Sequence, residues 1–376
     1  MKIPSNIPYI DQAEEDAIRE AIQNKHIVGN GPISKRVQAQ MGEIFGVKHV
    51  LLTPSCTAAL EMAMLALDIG PGDEVILPSF TFVSASNCVV LRGATPVFAE
   101  IKMDTLNIDV EDIRRKITTR TKAIMPMHYA GVSCEMDAIM ELAEERGISV
   151  VEDAAQGVDA LYKDRYLGTI GDMGCYSFHA TKNITCGEGG AFLTNNDELA
   201  AKAEIIQEKG TNRAAFVRGQ VDKYSWVSIG SSYILSDLLA SVLEVQLQKR
   251  SEIKEARERI HNSYITALRP LAEKEIIQLP YIPEGRESNY HLFFFLVEDN
   301  PTRNKLLTCL RDQGVGATFH YVPLHSSSYG ASLGTQEEDL LITEKLSSRL
   351  VRLPIYPGLT LDQVDEIAAS VYDCLG

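Results

Sequence analysis

A lysine stands where lysines seldom stand. Lys182 follows an aromatic-bearing apolar run (Cys175, Tyr176, Ser177, Phe178, His179) and precedes the glycine-rich turn Gly187, Glu188, Gly189, Gly190. Most lysines occupy wet faces. A desolvated amine near other cations loses its proton readily and can form a Schiff base with an aldehyde cofactor, although a purely structural lysine would read the same way. Three other segments carry comparable chemistry. Val150, Val151, Glu152, Asp153 and Gln156 lie where a buried strand ends in two carboxylates. An acid there can keep a cofactor's ring nitrogen protonated, as an electron sink requires; it can equally cap a helix or bind a metal. Ser55, Cys56 and Thr57 open a helix of small residues, where free amides and hydroxyls either cradle a phosphate or serve as ordinary caps. His320, Tyr321 and His325 mark a strand exit that can close over a sugar or pyrophosphate by stacking and hydrogen bonding, or hold satisfied structural histidines.

The surrounding pattern supplies the elements to position them. Short apolar runs at 49–53, 74–77, 96–101, 122–127, 148–152, 174–178 and 190–194 alternate with helix-period segments, the pattern of strands joined by crossover helices. Leu60, Ala63, Met64 and Leu67 recur at i, i+3, i+4 and i+7, and a helix at 136–146 ends at Gly147. The stretch 236–268 holds neither Pro nor Gly and is expected to bridge a large domain to a smaller one. Beyond it, strands are expected at 290–298 and 316–322 and helices at 303–313, 340–350 and 361–375. The expected fold is α/β: a large domain with a mostly parallel sheet (residues 1–250) and a small C-terminal α/β domain (251–376). Ligands of such sheets bind beyond the carboxyl ends of the strands, where all four segments fall.

Composition narrows the classes. At 376 residues, 45% hydrophobic and 23% charged, the chain has the make-up of a globular enzyme. Its net charge of −15 argues against a nucleic-acid partner. The seven cysteines are scattered with no C-x-x-C pair, so neither a metal site nor a disulfide framework is expected, and a reducing cytoplasm fits. No apolar run approaches a membrane span. No G-x-G-x-x-G turn follows the first strand, which disfavours a dinucleotide oxidoreductase.

The order of phosphate cradle, ring-nitrogen acid, lysine and cap matches one machine. The runs S-C-T-A-A-L (55–60), V-E-D-A-A-Q (151–156), S-F-H-A-T-K-N (177–183) and G-E-G-G-A (187–191) resemble the DegT/DnrJ/EryC1 sugar aminotransferases over nearly the whole chain. The resemblance implies fold type I of the pyridoxal 5′-phosphate (PLP) transferases, the aspartate aminotransferase-like fold. It implies Lys182 as the cofactor's lysine and Asp153 as partner of the pyridinium nitrogen. Gln156 is placed near the phenolic oxygen and Phe82 against the ring, while Cys56, Thr57 and Ser177 hold the phosphate. It also implies a homodimer with shared active sites. The family completes the phosphate site with a neighbouring subunit's asparagine near 230–234; this chain has none there, and Ser232 is the residue that would replace it. The family's dehydrase branch carries histidine in place of the lysine, so Lys182 disfavours that branch. The less general runs E-K-G-T-N-R (208–213) and R-G-Q-V-D-K-Y (218–224) narrow the resemblance to members that take L-glutamate as donor and a dTDP-linked 4-keto-6-deoxy sugar as acceptor. A non-catalytic nucleotide-sugar sensor is the alternative from another class.

Overall fold

The computed structural model describes residues 2–334 and 339–376. The seven expected inner runs all form strands: β1 (His49–Thr53), β2 (Glu74–Pro78), β3 (Thr95–Ala99), β4 (Thr121–Ile124), β5 (Ser149–Asp153), then, after the two-residue β6 (Leu161–Tyr162) and β7 (Arg165–Tyr166), β8 (Met173–Ser177) and β9 (Gly190–Thr194). They make one sheet in the order β1-β9-β8-β5-β4-β2-β3. Only β9 runs against its neighbours β1 and β8. Strands β2, β8 and β9 are buried at every position because both faces of the sheet are covered, which is why they read as unbroken apolar runs. One face (Val75, Leu77, Val151, Cys175, Phe192) packs on the helix Cys56–Ala66. Part of the other (Tyr176, Leu193) meets the helices Pro32–Phe45 and Asp237–Gln248 through Val37, Met41 and Leu243.

The expected bridge is two helices, Asp237–Gln248 and Arg250–Glu273, meeting at Lys249. The second serves both cores: Ile253 packs with the large domain, whereas Ile260, Tyr264 and Leu268 pack with the C-terminal one. After the short β10 (Arg286–Glu287), β11 (Phe293–Leu296) pairs antiparallel with β12 (Leu350–Leu353), flanked by helices Asn300–Asp312 and Leu361–Leu375. Two expectations fail in this region. Residues 316–322 form no strand, because only Thr318 forms a bridge, to Arg352. The expected helix at 340–350 ends at Ser347, and the chain turns into β12. Near the start of the chain, Ile3 bridges Val315 and packs in the same core as Phe293 and Val351.

The cysteine expectation needs correcting as well. Cys309 and Cys374, 65 residues apart, form a disulfide with Cα atoms 5.9 Å apart, because two helices of the C-terminal domain pack side by side; no local motif announces such a pair. Cys56, Cys88, Cys134, Cys175 and Cys186 are free and buried.

Candidate active site

The reversed direction of β9 draws the site together. Gly190 pairs with Thr53 at the end of β1 and with Ser177 at the end of β8, so the glycine-rich turn, the helix start after β1 and the approach to Lys182 share one sheet edge. A Cβ at position 190 would lie 2.4 Å from the Ser55 carbonyl carbon and 2.5 Å from the Cys56 nitrogen, so only glycine lets β9 come this close. Ser55 caps the helix Cys56–Ala66 by accepting from the Ala58 amide at 3.1 Å. The cap leaves the amides of Cys56 and Thr57 without an intrahelical acceptor, and Ser177 lines the same cavity. Thr57 Oγ1 is held by Ser84 Oγ at 2.7 Å.

Asp153 ends β5 and is buried. Burial pushes its carboxyl up, against the opposing pull of the Ala155 amide (3.1 Å) and the Lys182 charge. Burial pushes the Lys182 amine down, which the nearby Cys56 and Asp153 only partly offset. No hydrogen bond or ion pair holds the Lys182 ammonium among the described residues. Beneath this pair, Glu152 accepts from the Gly168, Ile170 and Gly171 amides at 2.8, 2.6 and 2.7 Å and from His128 Nε2 at 2.9 Å. The Cys134 amide donates to His128 Nδ1 at 3.2 Å, so that nitrogen carries no proton and the imidazole stands neutral against Glu152.

The C-terminal domain supplies the far wall. Gln156 accepts from the Ala130 amide (2.7 Å) and donates to Tyr321 Oη (2.9 Å). Tyr129 Oη and His320 Nδ1 are 3.2 Å apart. Asn183 donates to the Asn289 carbonyl (2.7 Å) and accepts from His291 Nδ1 (2.9 Å), which leaves Nε2 of His291 as the acceptor. Burial pushes both His291 and His320 below the ordinary imidazole range, with help from the charges of Lys182 and Arg352.

Cys56, Thr57, Phe82, Asp153, Gln156, Ser177, Lys182, His320 and Tyr321 all line one cavity of about 610 Å³. Phe82 is 58% exposed, its ring open to a planar partner and 6.4 Å from that of Tyr321. Two expected residues lie elsewhere. His325 is fully buried: its amide donates to Ser79 Oγ (3.0 Å), which in turn donates to its Nδ1 (2.6 Å), and Nε2 is 3.3 Å from Glu344. That packing removes His325 from the cavity and corrects its expected contact with substrate. Ser232 sits on the surface beside Glu208, lining a separate hollow with Ile27, Val28 and Tyr224. Sequence reading missed His291, Thr81 and Arg352, which also line the cavity. An arginine inside the apolar run Leu350, Val351, Arg352, Leu353 was the available signal for the last.

Residues 8–372 match the profile of the DegT/DnrJ/EryC1/StrS aminotransferase family. The chain belongs to that family. It is 35% identical to the spore coat polysaccharide biosynthesis protein SpsC of Bacillus subtilis (strain 168), over 99% of this chain and 96% of that one. The aminotransferase TlmJ from Streptoalloteichus hindustanus superposes with a TM-score of 0.92 at 32% identity, covering 99% of this chain and 98% of that one. The PLP-form of the sugar aminotransferase Spr1654 from Streptococcus pneumoniae gives 0.92 at 26% identity, covering 100% and 99%. The fold is fold type I, and the aminotransferase works with PLP. The site fits that cofactor by its own features: a glycine-shaped cradle at a helix start, a buried acid at a strand end, a desolvated lysine, and a buried Thr81 hydroxyl with no partner among the described residues.

Proposed function

We propose that this sugar aminotransferase moves the amino group of L-glutamate onto C4 of dTDP-4-dehydro-6-deoxy-D-glucose, giving dTDP-4-amino-4,6-dideoxy-D-galactose for a surface glycan. The observation that carries the amino-transfer chemistry is the convergence of Lys182, Asp153 and the Ser55–Thr57 helix start on one cavity. The acceptor rests on the runs at 208–213 and 218–224, and the naming of SpsC as a polysaccharide biosynthesis protein supports the glycan context.

When bound, PLP supplies an electron sink for the pair left on carbon as a neighbouring proton departs. Lys182 takes and returns that proton at the reacting carbon, as general base and acid; burial keeps its amine closer to neutral than a surface lysine. Asp153 would keep a proton on the ring nitrogen. The Cys56 and Thr57 amides and the Ser177 hydroxyl would hold the phosphate, Phe82 would lie against the ring, and Gln156 would stand near the phenolic oxygen. His320 and Tyr321 orient the substrate and exclude water. The enzyme acts as a homodimer: Val28, Trp226 and Ile229 are exposed apolar side chains (71%, 82% and 58%) of the kind a second copy covers, and Ser232 would then approach the neighbour's site.

The test is incubation of the loaded protein with glutamate and, separately, dTDP-linked 4-keto and 3-keto sugars, with products identified by NMR. An axial C4 amine from the 4-keto sugar is expected. Amination at C3 alone would overturn the acceptor, and conversion of neither sugar would favour the sensor.

A further inference from the structure

The imidazole of His291 reaches the cavity with its proton already placed. Asn289 donates to the carbonyls of Gln156 and Val158 (2.8 and 2.7 Å), so its Oδ1 faces the other way, where it accepts from the His291 amide (3.1 Å). Asn183 is fixed by the same logic. Its Nδ2 donates to the Asn289 carbonyl (2.7 Å), so its Oδ1 faces His291 Nδ1 (2.9 Å), and that nitrogen must carry the proton. Arg257 holds the backbone behind the ring by donating to the carbonyls of Tyr290 and His291 (3.3 and 3.1 Å). Tyr290 takes a φ of 53°, a left-handed conformation rare for a bulky residue. With Nδ1 committed to Asn183, what the ring keeps for the cavity is the lone pair of Nε2. Burial and the charges of Lys182, Arg257, Arg352 and His320 keep the ring neutral, so that lone pair stays open.

We propose that His291 is a positioning residue for Lys182: its Nε2 accepts a hydrogen bond from the Lys182 amine once that amine is released from the cofactor. The proposal rests on the reading of Lys182 as the cofactor's lysine, not on the identity of the donor or the sugar. Both residues line the same cavity, the charge of Lys182 reaches the imidazole, and Asn183, the residue that fixes the ring, directly follows Lys182 in the chain. Lys182 has no hydrogen-bond partner of its own among the described residues, and its flexible four-carbon stem lets the amine swing toward one. A neutral amine carries two N–H bonds and one lone pair. Giving one N–H to Nε2 restricts the directions that lone pair can take. When the amine accepts the proton of the reacting carbon it becomes an ammonium with one N–H still on Nε2, and no proton passes to the imidazole. A neutral acceptor holds an ammonium more strongly than an amine, which offsets part of the burial that pushes Lys182 down.

Two substitutions separate the roles of the two ring nitrogens. His291→Asn keeps an amide near Nδ1 that can serve Asn183 and has nothing at Nε2, whereas His291→Gln places an amide oxygen near Nε2. The protein loaded with pyridoxamine phosphate, which leaves the Lys182 amine free, is treated with cyanate across a pH series, and carbamylation of the Lys182 peptide is read by mass spectrometry. In His291→Asn the midpoint is expected to fall by about one pH unit, the loss of one charge-assisted hydrogen bond, and His291→Gln should reverse most of that shift. Cys56, Asp153 and Arg352, the other groups acting on Lys182, are the same in both variants. In the donor half-reaction with glutamate, kcat falls about 10- to 100-fold in His291→Asn with KM within about twofold of wild type, and His291→Gln recovers most of the rate. Circular dichroism checks the folding of both. A purely structural His291 reverses the order, with His291→Asn close to wild type and His291→Gln the poorer. That order, or an unshifted midpoint with a raised KM, which assigns Nε2 to the substrate, would overturn the proposal. If the midpoint shifts as expected while glutamate does not react, the contact stands and the donor falls.

Discussion

Glu152 and Asp153 are consecutive, both buried, and opposite in circumstance. Glu152 faces away from the cavity and has four donors on its two oxygens. Asp153 faces the cavity and accepts one hydrogen bond, from Ala155. The same division runs through the whole centre. Behind the wall, Asn183 and Asn289 have partners and Arg257 donates to two carbonyls, although its Nε meets none; along it, Lys182, Arg352 and Thr81 make no side-chain hydrogen bond among the described residues. Matched polar groups fix the shape of a site, whereas desolvated unmatched ones are reserved for ligand and cost stability until it arrives. Stability and catalysis should therefore separate cleanly between adjacent residues.

The largest effect that sharpens this contrast is on turnover. Lys182→Ala should lower amino transfer by at least about four orders of magnitude, the upper range for removing a general acid–base group, in a steady-state assay, without lowering the melting temperature of the cofactor-free protein. Turnover within tenfold of wild type would break the comparison from the cavity side. Glu152→Ala should do the reverse, costing about 3–5 kcal/mol in denaturant unfolding by leaving buried donors unsatisfied; a loss below about 1 kcal/mol would break it from the other.

A smaller effect concerns pH. Because burial lowers the Lys182 value in the folded state, the unfolded chain binds the proton more tightly, and stability must rise with pH between the lowered value and the ordinary lysine value of about 10.4. The cofactor-free Lys182→Ala protein should then exceed wild type in stability at neutral pH, with the gap closing above that value. A gap independent of pH would remove desolvation as its cause.

Much of this division is legible in the amino-acid sequence. Strands buried on both faces announce themselves as short apolar runs, and glycine-rich turns at their ends mark where backbone must approach backbone, as at Gly190. Lys182 and Asp153 stand out less by position, which a structural charge such as Glu152 shares, than by the order in which they follow the phosphate cradle. What stays hidden depends on contacts between distant segments. His325 shares its stretch with His320 and Tyr321, yet Ser79, 246 positions away, draws it into the core. Arg352 follows a segment expected to be helical through residue 350; only the pairing of β12 with β11 and its bridge to Thr318 bring it to the cavity. The Cys309–Cys374 bond depends likewise on how two helices pack.

The central claim is that the unmatched amine of Lys182 is the one that joins the cofactor. Borohydride reduction of the PLP-loaded protein, followed by proteolysis and peptide mass spectrometry, tests it most directly. The phosphopyridoxyl mass should appear on the peptide containing Lys182 and disappear in Lys182→Ala; stoichiometric labelling of any other lysine in the wild-type protein would contradict the account.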